Sequence, residues 1–163
     1  MPEIINIVEP TLTNEAGHCY SFVAALCKIG KGSQPICLWA SRYAELQFSG
    51  SDIQVKKYFF RKIRRLQSYL LYRKLLAEPG KLFISTAGSI DLVIINLVSR
   101  REIPTDKVYL YFHWFNSGSN KLVYLKKLAC KQPNLVILGP TPSVVKVFQD
   151  AGFNNVHIVP YPI

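Results

Sequence analysis

The sequence predicts an α/β domain built on a mainly parallel sheet with helices on both faces. Short β-type runs alternate with segments of helical periodicity along all 163 residues, the pattern of strands joined by helical crossovers. The composition is 49% hydrophobic and 18% charged, which suits a globular chain and excludes a disordered one. The length fits one domain, long enough to bury a core, and neither repeats nor low-complexity tracts divide it.

Ile4 to Val8 is a β-branched run and reads as the first strand. Glu9 to Gly17 is a polar, turn-forming loop. His18 to Ile29 places Phe22, Ala25, Leu26 and Ile29 on one helical face, with Gly30 and Gly32 as the stop. Ile36 to Ala40 is the second strand, and Arg42 to Gly50 fits either a loop or a short extra strand. Ser51-Asp52 is a cap for a long helix to about Ala77, which Pro79-Gly80 ends. Leu82 to Ser85 is the third strand, and Thr86 to Ser89 turns into the apolar run Ile90 to Ser99. That run is read as a buried helix, because parallel strands need a crossover there. Val108 to Phe112 is the fourth strand, Ser119 to Cys130 an amphipathic helix, and Leu135 to Leu138 the fifth strand. Thr141 caps the closing helix with Pro142 in its first turn; Gly152 stops it, and Val156 to Val159 ends the sheet.

No apolar run reaches the roughly 18–20 residues of a membrane span, and Met1 to Ile4 has no basic region or cleavage site of a signal peptide. Cys19, Cys27, Cys37 and Cys130 have no C-x-x-C pairing and no metal-ligand spacing; they read as buried, reduced thiols of a reducing compartment. No metal site is expected. The net charge is +10, and residues 51–81 hold nine Lys/Arg against two acids, which is +7 of it. One basic segment of that kind points to an anionic partner.

In parallel sheets ligands bind beyond the carboxyl ends of the strands. Candidate binding residues are therefore Asn14, Gly17 and His18 in the first loop, Thr86 after the third strand, His113 after the fourth and Ser143 after the fifth. A glycine before a helix lets backbone approach a ligand, and the helix start offers N–H groups to an anion or a sugar oxygen. His113 can hydrogen-bond a hydroxyl or handle a proton, or it can pack among its aromatic neighbours as a core histidine. His157 reads as structural. Thr86 and Ser143 are equally readable as helix-start residues. No G-x-G-x-x-G, P-loop, G-x-S-x-G elbow or paired-acid motif is present.

Lys56 to Leu70 mixes basic and aromatic residues. At helical spacing Phe59, Ile63, Leu66 and Leu70 form an apolar stripe opposite Arg61, Arg64 and Arg65. Three readings stand: a helix packed on the sheet by that stripe with a solvated basic face, a membrane-surface helix in which Lys56, Lys57, Arg61, Lys62, Arg64 and Arg65 meet anionic lipid, and a nucleic-acid patch.

The Glu15-Ala16-Gly17-His18 loop, His113 after its strand, and the Pro142-Ser143 helix running through Ala151-Gly152 to Pro160-Tyr161-Pro162 together resemble the N-terminal half of GT-B glycosyltransferases. The likeness is to the large retaining family 4 group and covers nearly the whole chain by order of elements. Where that family often has a Gly pair, Ala16 stands first. The resemblance implies a Rossmann-like acceptor-binding domain over residues 1–163, with His113 in acceptor positioning or proton handling. It implies a sugar or lipid-linked acceptor, a nucleotide-sugar donor held mainly by a C-terminal half absent from these residues, and no cofactor bound here. It further implies a cytoplasmic protein, peripheral on the inner face of the membrane, inactive alone, and no nucleic-acid partner. The alternative from another class is a stand-alone Rossmann-like module for phosphate-bearing ligands or nucleic acid.

Overall fold

A computed structural model describes residues 3–30, 34–48 and 52–161. The fold is α/β and Rossmann-like. Among the described residues seven parallel strands run β1 (Ile5–Glu9), β2 (Ile36–Ser41), β3 (Ile53–Phe59), β4 (Lys81–Ile84), β5 (Val108–Tyr111), β6 (Val136–Gly139) and β7 (Val156–Ile158). Five α-helices, counted over the same residues, connect them: α1 (His18–Gly30), α2 (Arg64–Ala77), α3 (Ser89–Val98), α4 (Ser119–Lys131) and α5 (Pro142–Ala151). The spatial order is β3-β2-β1-β4-β5-β6-β7. The chain therefore builds outward from β1 in one direction, returns across the sheet, and builds outward from β4 in the other. β1 and β4 are neighbours in register, Ile7 beside Phe83, and their carboxyl ends mark the switch point where open sheets bind ligands.

The two faces are covered unequally. On one, α1 packs Val23 and Cys27 against Ile7, Leu38 and Ala40. On the other, α2 to α5 supply Leu71, Tyr72, Leu92, Leu125 and Phe148 to the core that holds Val8, Leu82, Leu110 and Ile137. Ile7 and Val8 are consecutive, so strand alternation separates these cores.

The long helix expected from Ser51-Asp52 to Ala77 is instead a strand, a 3₁₀ turn at Arg61–Ile63 and a shorter helix. Asp52 lies in a turn and Ser51 outside the described residues. Ile53, Val55 and the buried Phe59 suit a sheet edge, where the intervening Gln54 and Lys57 face water. Gln67 then fixes the corner. Its amide donates to the Tyr58 carbonyl at 2.8 Å and accepts from the Phe60 N–H at 2.7 Å.

The expected packing stripe is likewise reversed. Of its four members only Phe59 is buried; Ile63, Leu66 and Leu70 are 47%, 58% and 50% exposed. Gln67, Ser68, Leu71, Tyr72 and Leu75 form the packed face. The run from Ile90 is a helix as expected, but only its inner side is buried, through Leu92, Ile94 and Ile95. Ile90, Val93 and Leu97 face outward. The segment after Arg42 is a turn and loop as far as residue 48. The Gly stop of α5 is present: Gly152 has φ +100° and donates to the Gln149 carbonyl, the left-handed conformation that side chains disfavour. Cys27 and Cys37 are buried and Cys19 partly so; Cys130, expected inside, is exposed on the outer side of α4, and no disulfide links the four.

Candidate functional site

His113 follows β5 by two residues, and all that surrounds it comes from the carboxyl side of the sheet. Its Nε2 lies 2.8 Å from the Ser85 carbonyl oxygen and its Nδ1 2.7 Å from the Tyr161 hydroxyl. A carbonyl only accepts, so Nε2 carries the proton; in the neutral ring Nδ1 accepts from Tyr161. The ring packs edge-on to Phe22 at 5.4 Å and Tyr111 at 4.9 Å, and stacks on Tyr161 at 5.2 Å. Burial pulls its pKa down from the ordinary histidine value and the neighbouring His18 adds to this, while the Ser85 carbonyl and Glu9 pull the other way. His113 is therefore neutral at pH 7, a proton acceptor in waiting.

Tyr161 escaped the sequence reading, which used Pro160-Tyr161-Pro162 as the end of the glycosyltransferase-like segment and gave the tyrosine no role. Its position depends on Tyr111, whose hydroxyl donates to the Val159 carbonyl at 2.7 Å. The Val159 N–H donates in turn to the Gly139 carbonyl. These bonds bring the segment after β7 back over the end of β5.

Glu9 was also missed, because a single acid at a strand end looks like the start of a polar loop. It is fully buried. Oε1 accepts from the Thr11 hydroxyl at 2.6 Å and the Thr11 N–H at 3.3 Å. Oε2 accepts from the Ser85 hydroxyl at 2.8 Å and the Thr86 hydroxyl at 2.6 Å. Glu9 thereby ties the loop after β1 to the loop after β4 across the switch point.

Two cavities open on either side of the Thr86–Gly88 turn. One, about 300 Å³, is lined by Thr86, Gly88, Ser89, His113, Trp114 and Lys121 among others. Trp114 is 75% exposed, a flat aromatic wall beside a histidine, a hydroxyl and an amine. The second, about 320 Å³, lies between the first turns of α2 and α3 and includes Thr11, Arg64, Arg65, Thr86 and Asp91. Both reach the size of small-ligand sites.

The other expected residues are placed as follows. His18 begins α1 with its ring 5.9 Å from that of His113. Gly17, at φ +90°, makes the turn into α1 and its carbonyl accepts from the Ser21 N–H. The Asn14 side chain accepts from the Ala16 N–H at 3.0 Å and so shapes its own loop. Ser143 is exposed at the start of α5, 3.0 Å from the Thr141 hydroxyl, and lines neither cavity. The six basic residues of the predicted membrane helix are divided among elements. Lys56 and Lys57 are on β3, with the Lys56 ammonium 4.5 Å from the Trp39 ring; Arg61 and Lys62 are in the 3₁₀ turn, and Arg64 and Arg65 open α2.

The covered thiols Cys19 and Cys27 are poor nucleophiles. Burial raises the pKa of Cys19, with Glu9 adding to it, and lifts that of Cys27 to about 11. Among the described residues no cluster of His, Cys, Asp and Glu suits a metal ion. No protein-family model matches this chain, and no curated protein matches it either.

Proposed function

We propose that this domain is the acceptor-binding half of a GT-B glycosyltransferase, moving a sugar from a nucleotide-sugar to a polysaccharide or lipid-linked acceptor. The observation that carries the reading is the His113 cleft at the switch point. A neutral histidine, a threonine hydroxyl and an exposed indole there offer what a sugar needs: a proton acceptor, hydrogen-bond partners and a stacking face. In this reading the acceptor sugar lies against Trp114 and Thr86 beside His113, whose Nε2 proton stays on the Ser85 carbonyl while Nδ1, released by the Tyr161 hydroxyl, takes the proton of the acceptor hydroxyl. The nucleotide-sugar is held by a second Rossmann-like half, in the same chain or another.

The outer side of the α2–α3 layer supports a peripheral membrane position. Ile63, Leu66 and Leu70 of one helix and Ile90, Val93 and Leu97 of the next are exposed on it, with Arg61, Lys62, Arg65 and Arg73 exposed around the first stripe. Apolar stripes bordered by cations suit an anionic bilayer surface. They do not suit nucleic acid, which stacks on aromatic rings. Among the described residues no helix is long and apolar enough to cross a membrane.

Trp114 gives the test. Oligosaccharides are expected to shift its fluorescence, and His113→Ala is expected to weaken that response. UDP-glucose should have little effect. A response to UDP-glucose with none to any oligosaccharide would overturn the acceptor reading.

A further inference from the structure

The cavity between α2 and α3 has a chemical direction. At its floor the Thr11 and Thr86 hydroxyls each place their one proton on Glu9, at 2.6 Å. Toward the cavity they therefore present lone pairs and ask for donors. Asp91, beside them, is engaged by the Tyr72 hydroxyl and the Gly88 N–H, both at 2.8 Å. With Glu9 behind the floor and Asp91 on the wall, the deep end repels an anion. The rim is the opposite. Arg64 and Arg65 are both exposed there, in the first turn of a helix that has no acidic residue in that turn and no side-chain cap. Two guanidiniums and the positive end of a helix favour a phosphate.

We propose that this cavity binds a sugar phosphate, its hydroxyls inward on Thr11 and Thr86 and its phosphate outward between Arg64 and Arg65. Inorganic phosphate meets only the rim, and a neutral sugar only the floor. The molecule that satisfies both ends carries hydroxyls on one side and a phosphoryl group on the other. The rim also adjoins the outward stripes of α2 and α3, so a lipid esterified to that phosphate leaves over Ile63 and Ile90. As the seat of a lipid-linked acceptor the cavity rests on the reading above; as a sugar-phosphate site it stands on its own geometry.

The experiment is an amide-resolved NMR titration of the whole chain with glucose 1-phosphate, glucose and inorganic phosphate in parallel. Glucose 1-phosphate is expected to shift the amides of Thr11, Thr86, Gly88 and Ile90, at concentrations where the other two do little. Arg64→Gln combined with Arg65→Gln is expected to weaken that binding about tenfold or more, the loss of charge-assisted hydrogen bonds. Both arginines are exposed, so the fold is retained and the remaining spectrum checks it. Thr86→Ser keeps the hydroxyl and is expected to keep the binding. Equal midpoints for phosphate and glucose 1-phosphate, no shift at all, or a shift that survives loss of both arginines would each overturn the proposal. A shift here with a silent Trp114 in the oligosaccharide titration would leave this site standing and sink the acceptor reading of the His113 cleft.

Discussion

At the scale of single residues, the pKa of His113 fixes how the site responds to pH. Its folded value lies below the ordinary histidine value because burial disfavours the charged ring. On acidification the unfolded chain takes up this proton first, so stability falls as pH drops from about 6.5 toward the folded value. Urea midpoints measured from pH 7.5 down to 5.5 are expected to fall for the native protein, with a shallower slope for His113→Gln. An NMR titration of the His113 ring should give a midpoint below that of an exposed histidine. His113 and Thr86 were legible in the sequence because a polar side chain at the carboxyl end of a parallel strand falls where ligands bind. Tyr161 and Glu9 were not. Tyr161 reaches His113 across 48 residues, and Glu9 reaches Ser85 across 76. No local pattern encodes such bonds.

At the scale of elements, the segment from Ile53 to Ala77 shows where periodicity misleads. Lys56 to Leu70 scans as one amphipathic helix, yet only Ile53 to Val55, just ahead of it, alternates with a period of two. The strand that forms pairs with β2 from Ile36 to Ser41 and places the buried Phe59 opposite Ser41. Gln67 then secures the corner through bonds that belong to neither pattern. Gln67→Ala is expected to cost about 1 kcal/mol in chemical denaturation, since it leaves two part-buried backbone groups without their partner. Leu71→Ala should cost about 2–5 kcal/mol as a core cavity. Leu66→Ala, in the stripe that one of the three readings packed on the sheet, should stay within about 0.5 kcal/mol. Similar losses at both leucines would contradict the observed rotation of α2. The closing helix was read well at its Pro start and Gly stop, which act through backbone conformation alone, whereas Thr141 holds the cap position without a side-chain capping bond, its hydroxyl facing that of Ser143.

At the scale of the whole molecule, the alternation of strands and helices was enough to predict the class of fold, while the order of the strands was beyond it, since order depends on which edges meet in space. One face of the helix layer carries both apolar stripes, with Arg61, Lys62, Arg65 and Arg73 exposed around the first, and its behaviour is a property of the assembled surface. Co-sedimentation is expected with phosphatidylcholine–phosphatidylglycerol vesicles and not with phosphatidylcholine alone. Binding should weaken in high salt, by about 1 kcal/mol for each basic residue at the surface that is screened or removed. Leu66→Glu with Val93→Glu should abolish it without unfolding the chain. The strand order has a consequence for how the protein is made. β1 is synthesised well before β4, yet one of its edges stays unpaired until Lys81–Ile84 has been made. Everything between β1 and β4 must therefore emerge before β1 is enclosed, so the growing polypeptide carries an open, sticky edge over that stretch and depends on translation keeping pace with collapse.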